Sequence, residues 1–204
     1  RDRSVSRGLG DVYKRQKLWC DSAVDDSDLQ RELEDIKNDD EAINDRFYRE
    51  LEFGTGGLRG VIGAGTNRMN IYTVIRAAQG FADYINEAFS SPSVAVSYDS
   101  RIKSDIFAKA AAGVFAANGI KVYIYKELMP TPALSFAVRE LGCSAGVMIT
   151  ASHNPSKYNG YKAYGSDGCQ LNLESAEAVI KKVNSLDIFR DVKNVSFEEA
   201  VNNK

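Results

Sequence analysis

A serine and the only histidine of the chain stand side by side in Thr150-Ala151-Ser152-His153-Asn154-Pro155. A serine hydroxyl is a poor nucleophile near neutral pH unless a base takes its proton or it carries a pre-installed phosphoryl group. The adjacent histidine points to a hydrolase, yet neighbours on an extended loop face different ways, and no G-x-S-x-G elbow surrounds Ser152. A phosphorylated serine would instead carry about −1.5 to −2 charges and require donors around it. His153, Asn154 and the amides of the loop are candidates. A second segment, Gly54-Thr55-Gly56-Gly57-Leu58-Arg59-Gly60, combines four glycines with one arginine, which suits an anion nest of open amides and a forked donor. It is not a Walker loop, and Arg59 falls where G-x-G-x-x-G has its third glycine. Lys162 is a third candidate, after Tyr158-Asn159-Gly160-Tyr161. Each has a plain structural reading too: a turn serine, a flexible glycine turn, and a solvated lysine on an edge strand.

The surrounding pattern says how these residues are positioned. Ala145 to Ile149 is short, apolar and partly β-branched, a buried strand that delivers Ser152 onto a tight loop. Pro155 removes a backbone donor and pushes Asn154 out of helical space. Ligands of open α/β sheets bind at such carboxyl ends of strands. Val94 to Tyr98 and Lys121 to Tyr125 read as further strands, alternating with helices capped by Asn70 and Ser104 and opened by Thr131-Pro132. The expectation is a three-layer α/β/α domain with a mixed, mostly parallel sheet. Its core includes Val96, Ile124 and Val147, with Tyr98 and Ser152 at one carboxyl edge. Tyr98-Asp99-Ser100-Arg101 reads as a strand-end turn able to hold loops together. Gly165-Ser166-Asp167 reads as the tip of a hairpin forming an antiparallel edge, Asp25 to Glu52 as a helical stretch, and Asn172 as the cap of a last long helix.

Composition bounds the function. With 204 residues, 44% of them hydrophobic, there is enough chain for a real core. A net charge of −2 argues against a nucleic-acid footprint, and no apolar run is long enough for a membrane span. Cys20, Cys143 and Cys169 show no C-x-x-C spacing and fit free thiols of a reducing, cytoplasmic setting. Residues 1–20 look foreign: basic, without apolar period or initiator methionine, they read as a leader or mis-joined segment outside the fold. Residues 21–190 then form the domain, and 191–204 a linker or the start of a second domain, with a short helix from Ser196 to Val201.

The hexapeptide Thr150 to Pro155 resembles the phosphoserine signature of the phosphohexomutases, the phosphoglucomutase and phosphomannomutase family. Their G-T-x-G-x-R-G loop is similar to Gly54, Thr55, Gly57, Arg59 and Gly60, with Gly56 where serine is common. The two loops stand in the family's order, about 90 residues apart. The resemblance covers Asp25 to Lys204 and implies the first of four domains of a phosphosugar mutase of bacterial kind. It implies that Ser152 is the phosphoserine, that Arg59 and Lys162 hold it, and that Thr55, Gly56, Gly57 and Asn154 bind phosphate. His153 would orient or exchange a proton. The substrate would be a hexose phosphate, glucose phosphate foremost, with mannose, glucosamine and pentose phosphates open. A sugar bisphosphate would serve as activator and intermediate. Magnesium would meet this chain through the phosphate on Ser152, its other ligands lying in a D-G-D-x-D-R loop that these residues lack. The partners implied are the phosphosugar and the remaining domains of the same polypeptide, without which this chain is expected to be inactive. A serine hydrolase and a non-catalytic phosphate-binding module remain as alternatives.

Overall fold

Short β-branched runs separated by amphipathic helices here become one twisted sheet. Its strands are β1 (Gly57–Val61), β2 (Ser93–Tyr98), β3 (Lys121–Ile124), β4 (Ala145–Ile149) and β5 (Tyr158–Gly165), in the order β1-β5-β4-β2-β3. The structure is a computed structural model that describes the backbone of residues 3–202 and the side chains of residues 10–202. β3, β2 and β4 pair in parallel, while β5 runs antiparallel between β4 and β1. Four strands therefore point one way and β5 alone runs against them. Register sets Val96 opposite both Ile124 and Val147, and Tyr98 opposite Ile149, so β2 and β4 end together.

Alternation along β2 assigns the two faces. Val94 and Val96 pack with Phe81 of α4 (Ile71–Ala88) and with Phe107 and Phe115 of α5 (Ser104–Ala117). Ala95 points the other way, into Leu134 and Val138 of α6 (Thr131–Glu140) and Met148 of β4. Every residue of β4 is buried, as a strand covered on both faces requires. The three layers expected from the sequence are present.

Local chemistry sets the helix ends. Asn70 accepts from the Thr73 amide while the Thr73 hydroxyl accepts from the Asn70 amide, a capping box that starts α4. Asn172 caps α7 (Leu173–Ser185) by accepting from the Ser175 amide. The stretch from Asp25 to Glu52 is two helices, α2 (Ser27–Asp35) and α3 (Asp40–Phe47). Asp26 and Asp39 each adopt extended backbone and cap the helix that follows, and this breaks the run. Ser104 does not cap α5. Lys103 occupies the cap position at φ 61° without a capping side-chain bond, and the Ser104 hydroxyl donates to Asp99 at 2.9 Å.

The exclusion of residues 1–20 is corrected. Residues 3–20 of that stretch lie in α1 (Arg3–Ser22), in which Val12 and Trp19 are buried with Leu29, Leu33, Phe47 and Tyr72. Trp19 meets Phe47 and Tyr72 edge-on, with ring centroids 6.1 and 5.6 Å apart, and Arg15 donates to the Phe47 carbonyl at 2.7 Å. The dense basic residues of α1 mask a narrow apolar stripe, Val12 and Trp19, which Ala23 continues just past the helix end. At the other end, α8 (Phe197–Asn202) leans on α5 without burying a residue. Replacing Trp19 by alanine removes an aromatic side chain at the centre of this small cluster. It should cost about 3–5 kcal/mol of unfolding free energy in a urea titration followed by circular dichroism. A cost below about 0.5 kcal/mol would mean that the segment does not belong to the fold.

Candidate active site

Three backbone features bring the site together. β4 ends at Ile149, and after Thr150 and buried Ala151 the chain turns at Ser152, whose φ is 55°. A left-handed conformation in a non-glycine residue costs about 1–3 kcal/mol and persists only where the surroundings impose it. The loop closes through the Asn154 amide on the Ala151 carbonyl (3.1 Å) and the Tyr158 amide on the Pro155 carbonyl (2.9 Å). The Ser152 amide donates to the Thr150 hydroxyl at 3.0 Å. From this pose the Ser152 hydroxyl accepts a 2.7 Å hydrogen bond from Lys162 Nζ.

Lys162 comes from β5, where it lies opposite Met148 of β4 and Gly57 of β1. Arg59 is two residues beyond Gly57 on β1 and opposite Gly160, so Arg59 and Lys162 share one face of the sheet as diagonal neighbours. This close packing requires glycine at two points. A Cβ on Gly160 would sit 2.6 Å from the Thr150 carbonyl oxygen and 2.8 Å from that of Leu58. Gly57 has φ 119°, and its Cβ would meet the Tyr161 carbonyl at 1.8 Å. The edge-strand reading of Lys162 is thereby corrected, since β5 is interior and β1 and β3 are the edges. The expected hairpin survives as a turn: the Gly165 amide bonds the Cys169 carbonyl at 2.8 Å, and the returning segment makes only a single bridge, Tyr164 to Gln170.

The remaining candidates divide. Arg59 Nη1 donates to Asn154 Oδ1 at 3.3 Å, joining the glycine loop to the serine loop across 95 residues of sequence. Thr55 and Gly56 form the tip of a turn closed by reciprocal bonds between Gly54 and Gly57 (2.9 and 3.1 Å). Among the described residues no hydrogen bond ties that tip to the serine loop. His153 is exposed and makes no hydrogen bond to Ser152 in the described structure, so the hydrolase reading lacks the serine–histidine bond it requires. Sequence reasoning does not single out Thr150. Its hydroxyl donates to Asp99 Oδ2 at 2.6 Å, at the end of the neighbouring parallel strand.

Electrostatics set the character of the site. Burial holds the Lys162 ammonium below its ordinary pKa of 10.5, the Arg59 charge pushes it down further, and Asp99 opposes both. A cluster with excess positive charge around one hydroxyl is electrostatically suited to an anion. No group of three or more His, Cys, Asp or Glu suited to a metal ion occurs among the described residues. A groove of about 1050 Å³ runs between β3, α6 and α8, lined by Val122, Ile124, Phe136, Leu141 and Phe197 and by none of these polar residues.

Residues 50–188 match the family model described as phosphoglucomutase/phosphomannomutase, alpha/beta/alpha domain I. The chain is 47% identical over 140 residues to a phosphoglucomutase of Staphylococcus haemolyticus, covering 69% of this chain and 26% of that protein. It is 43% identical over 162 residues to a phosphoglucomutase of Staphylococcus aureus, covering 79% of this chain and 29% of that one. It thus spans less than a third of the length of these relatives. Among solved structures, one described as a putative phosphomannomutase from Thermus thermophilus superposes with a TM-score of 0.64 at 36% identity, over 72% of this chain and 32% of that chain. A Paramecium phosphoglucomutase, at 21% identity and a TM-score of 0.58 over 73% of this chain and 27% of its own, shares the fold. With the fold shared and the family model matching residues 50–188, more than half of the chain, the protein belongs to the phosphoglucomutase/phosphomannomutase family and carries its α/β/α domain I.

Proposed function

We propose that Ser152 is the phosphoryl carrier of a phosphosugar mutase, an intramolecular phosphotransferase that interconverts hexose 1-phosphate and 6-phosphate. The observation that supports this most is the 2.7 Å bond from Lys162 Nζ to Ser152 Oγ, formed on a face that also carries Arg59. A phosphoryl group on Oγ would meet an ammonium and a guanidinium already arranged for it, and such transfer depends chiefly on positioning and charge stabilisation. In the forward step the P–Oγ bond breaks while a new P–O bond forms to a sugar hydroxyl. Ser152 Oγ gains a proton from the adjacent Lys162, and the proton released by the sugar hydroxyl restores that ammonium, so none is gained or lost overall. In the return step the bisphosphate gives its other phosphoryl group back to Ser152. Arg59 and Asn154 fix the loop over which the group travels. His153, at the rim, would face the sugar.

Glucose phosphate is the first substrate to test, because the relatives at 43–47% identity are phosphoglucomutases. Magnesium ions take oxygen ligands, usually from carboxylates as well as phosphate. The described residues offer no carboxylate cluster, so they do not by themselves fit that ion, and the steps assigned to this chain run through its cationic side chains. We further propose that turnover requires residues beyond these. The 204-residue chain alone should show no mutase turnover with magnesium and glucose 1,6-bisphosphate, and a rate comparable to an intact mutase would refute this.

Two outcomes test the assignment in a full-length polypeptide carrying this domain. Ser152→Ala should lower kcat by about 10⁴-fold or more, as loss of a covalent carrier does, and retention of ordinary turnover would refute the mechanism. The second readout is Lys162 itself, followed by NMR of its Nζ. Its pKa should lie below 10.5 in the unphosphorylated protein and rise once Ser152 is phosphorylated, because a dianion favours the charged amine. The same shift gives a stability signature. Between the lowered pKa and 10.5 Lys162 is more protonated in the unfolded chain than in the folded one, so its own contribution to stability rises with pH across that window. Lys162→Met should remove this contribution from the pH profile of stability.

A further inference from the structure

The left-handed turn at Ser152 is held from below by a side chain that follows a different strand. Beyond β2, the Arg101 guanidinium sits under the serine loop with its side chain only 14% exposed. Nη2 donates to the Ser152 and Asn154 carbonyls, each at 2.6 Å. Nη1 donates to the Pro155 carbonyl at 3.2 Å and to the Tyr158 carbonyl at 3.1 Å. Four carbonyls of one short segment thus converge on one planar cation. Asp99 completes the arrangement. Its Oδ1 accepts from the Arg101 amide (3.0 Å) and the Ser104 hydroxyl (2.9 Å), and its Oδ2 accepts from the Thr150 hydroxyl (2.6 Å). That hydroxyl in turn accepts from the Ser152 amide. Both backbone groups of Ser152 therefore end in the turn formed by residues 99–101, the carbonyl directly and the amide through Thr150. The segment that follows the turn is braced by Asn159, which donates to the Ile102 carbonyl and the Ser104 hydroxyl, both at 3.0 Å.

We infer that Arg101, oriented by Asp99, is a positioning residue that imposes the left-handed serine and so aims Oγ at Lys162. Its role is in the phosphoryl-transfer step and not in holding phosphate or sugar, because its terminal nitrogens are already committed to loop carbonyls. A lysine cannot replace it: one ammonium is a point donor and cannot span four carbonyls as a flat fork does. Displacing a reacting oxygen by about 1 Å is enough to cost about a hundredfold in rate.

This inference rests on the phosphoserine assignment above, and two arms keep the two claims apart. In the 204-residue chain, Arg101→Lys should speed amide hydrogen exchange over residues 152–158 by about tenfold or more while α4 and β2 exchange as before. In the full-length polypeptide, at a temperature where both proteins are fully folded, Arg101→Lys should lower kcat by about thirty- to a hundredfold and leave KM for the sugar phosphate within about twofold. The 31P resonance of the phosphoserine should broaden as the loop loses its single conformation. Thr150→Val, which cuts only the amide link, should move the same readouts by less, and it serves if the lysine variant does not fold. Unchanged exchange over residues 152–158, or unchanged kcat, overturns the inference; so does a loss confined to KM. If the unsubstituted protein never carries phosphate on Ser152 while the exchange arm behaves as stated, the carrier assignment fails and the positioning role of Arg101 stands.

Discussion

Everything at this site depends on how β5 enters the sheet. A parallel α/β sheet presents the carboxyl ends of its strands to one side, and a loop leaving β4 has its neighbours there by default. Because β5 runs back antiparallel against β4 and pairs again with β1, Lys162 and Arg59 are carried to the place where Ser152 emerges. The insertion works only because backbone approaches backbone at Gly57 and Gly160, where a methyl group would collide with a carbonyl oxygen. The glycines thus act as packing constraints first; the anion-suited character of the site follows from the register that they permit.

The charges make sense in the same frame. Lys162 is pushed towards its neutral form by burial and by Arg59, a cost to the charged form that a neighbouring anion would offset. Arg101 adds a third cation beneath the loop, yet its charge is largely answered by Asp99 and by the carbonyls that it binds. Two layers result. The upper one, Arg59 and Lys162, is left unbalanced and faces the serine oxygen; the lower one, Arg101 and Asp99, is internally compensated and shapes the backbone.

Much of this is legible in the sequence because it is local. The strand before Ser152, the proline after it, the caps at Asn70 and Asn172 and the alternation of β2 each follow from residues close together in the chain. What escapes is non-local or masked. Nothing near Lys162 announces that β5 is interior, since strand order is decided by partners about a hundred residues away in β1. Asp99 and Arg101 are legible as a turn that holds loops, but not that four carbonyls of the serine loop would need them. Thr150 looks like an ordinary flanking residue, although its hydroxyl both donates to Asp99 and accepts from Ser152. Val12 and Trp19 are hidden by the charges of the helix that carries them.

The central claim is that Ser152 is a phosphoryl carrier. Intact-mass measurement of the full-length polypeptide after incubation with glucose 1,6-bisphosphate, followed by peptide mapping, tests it most directly. The account predicts the uptake of one phosphoryl group per chain, located on Ser152 and lost again when excess glucose 6-phosphate is added. A protein that takes up no phosphoryl group, or carries it on any other residue, would contradict it.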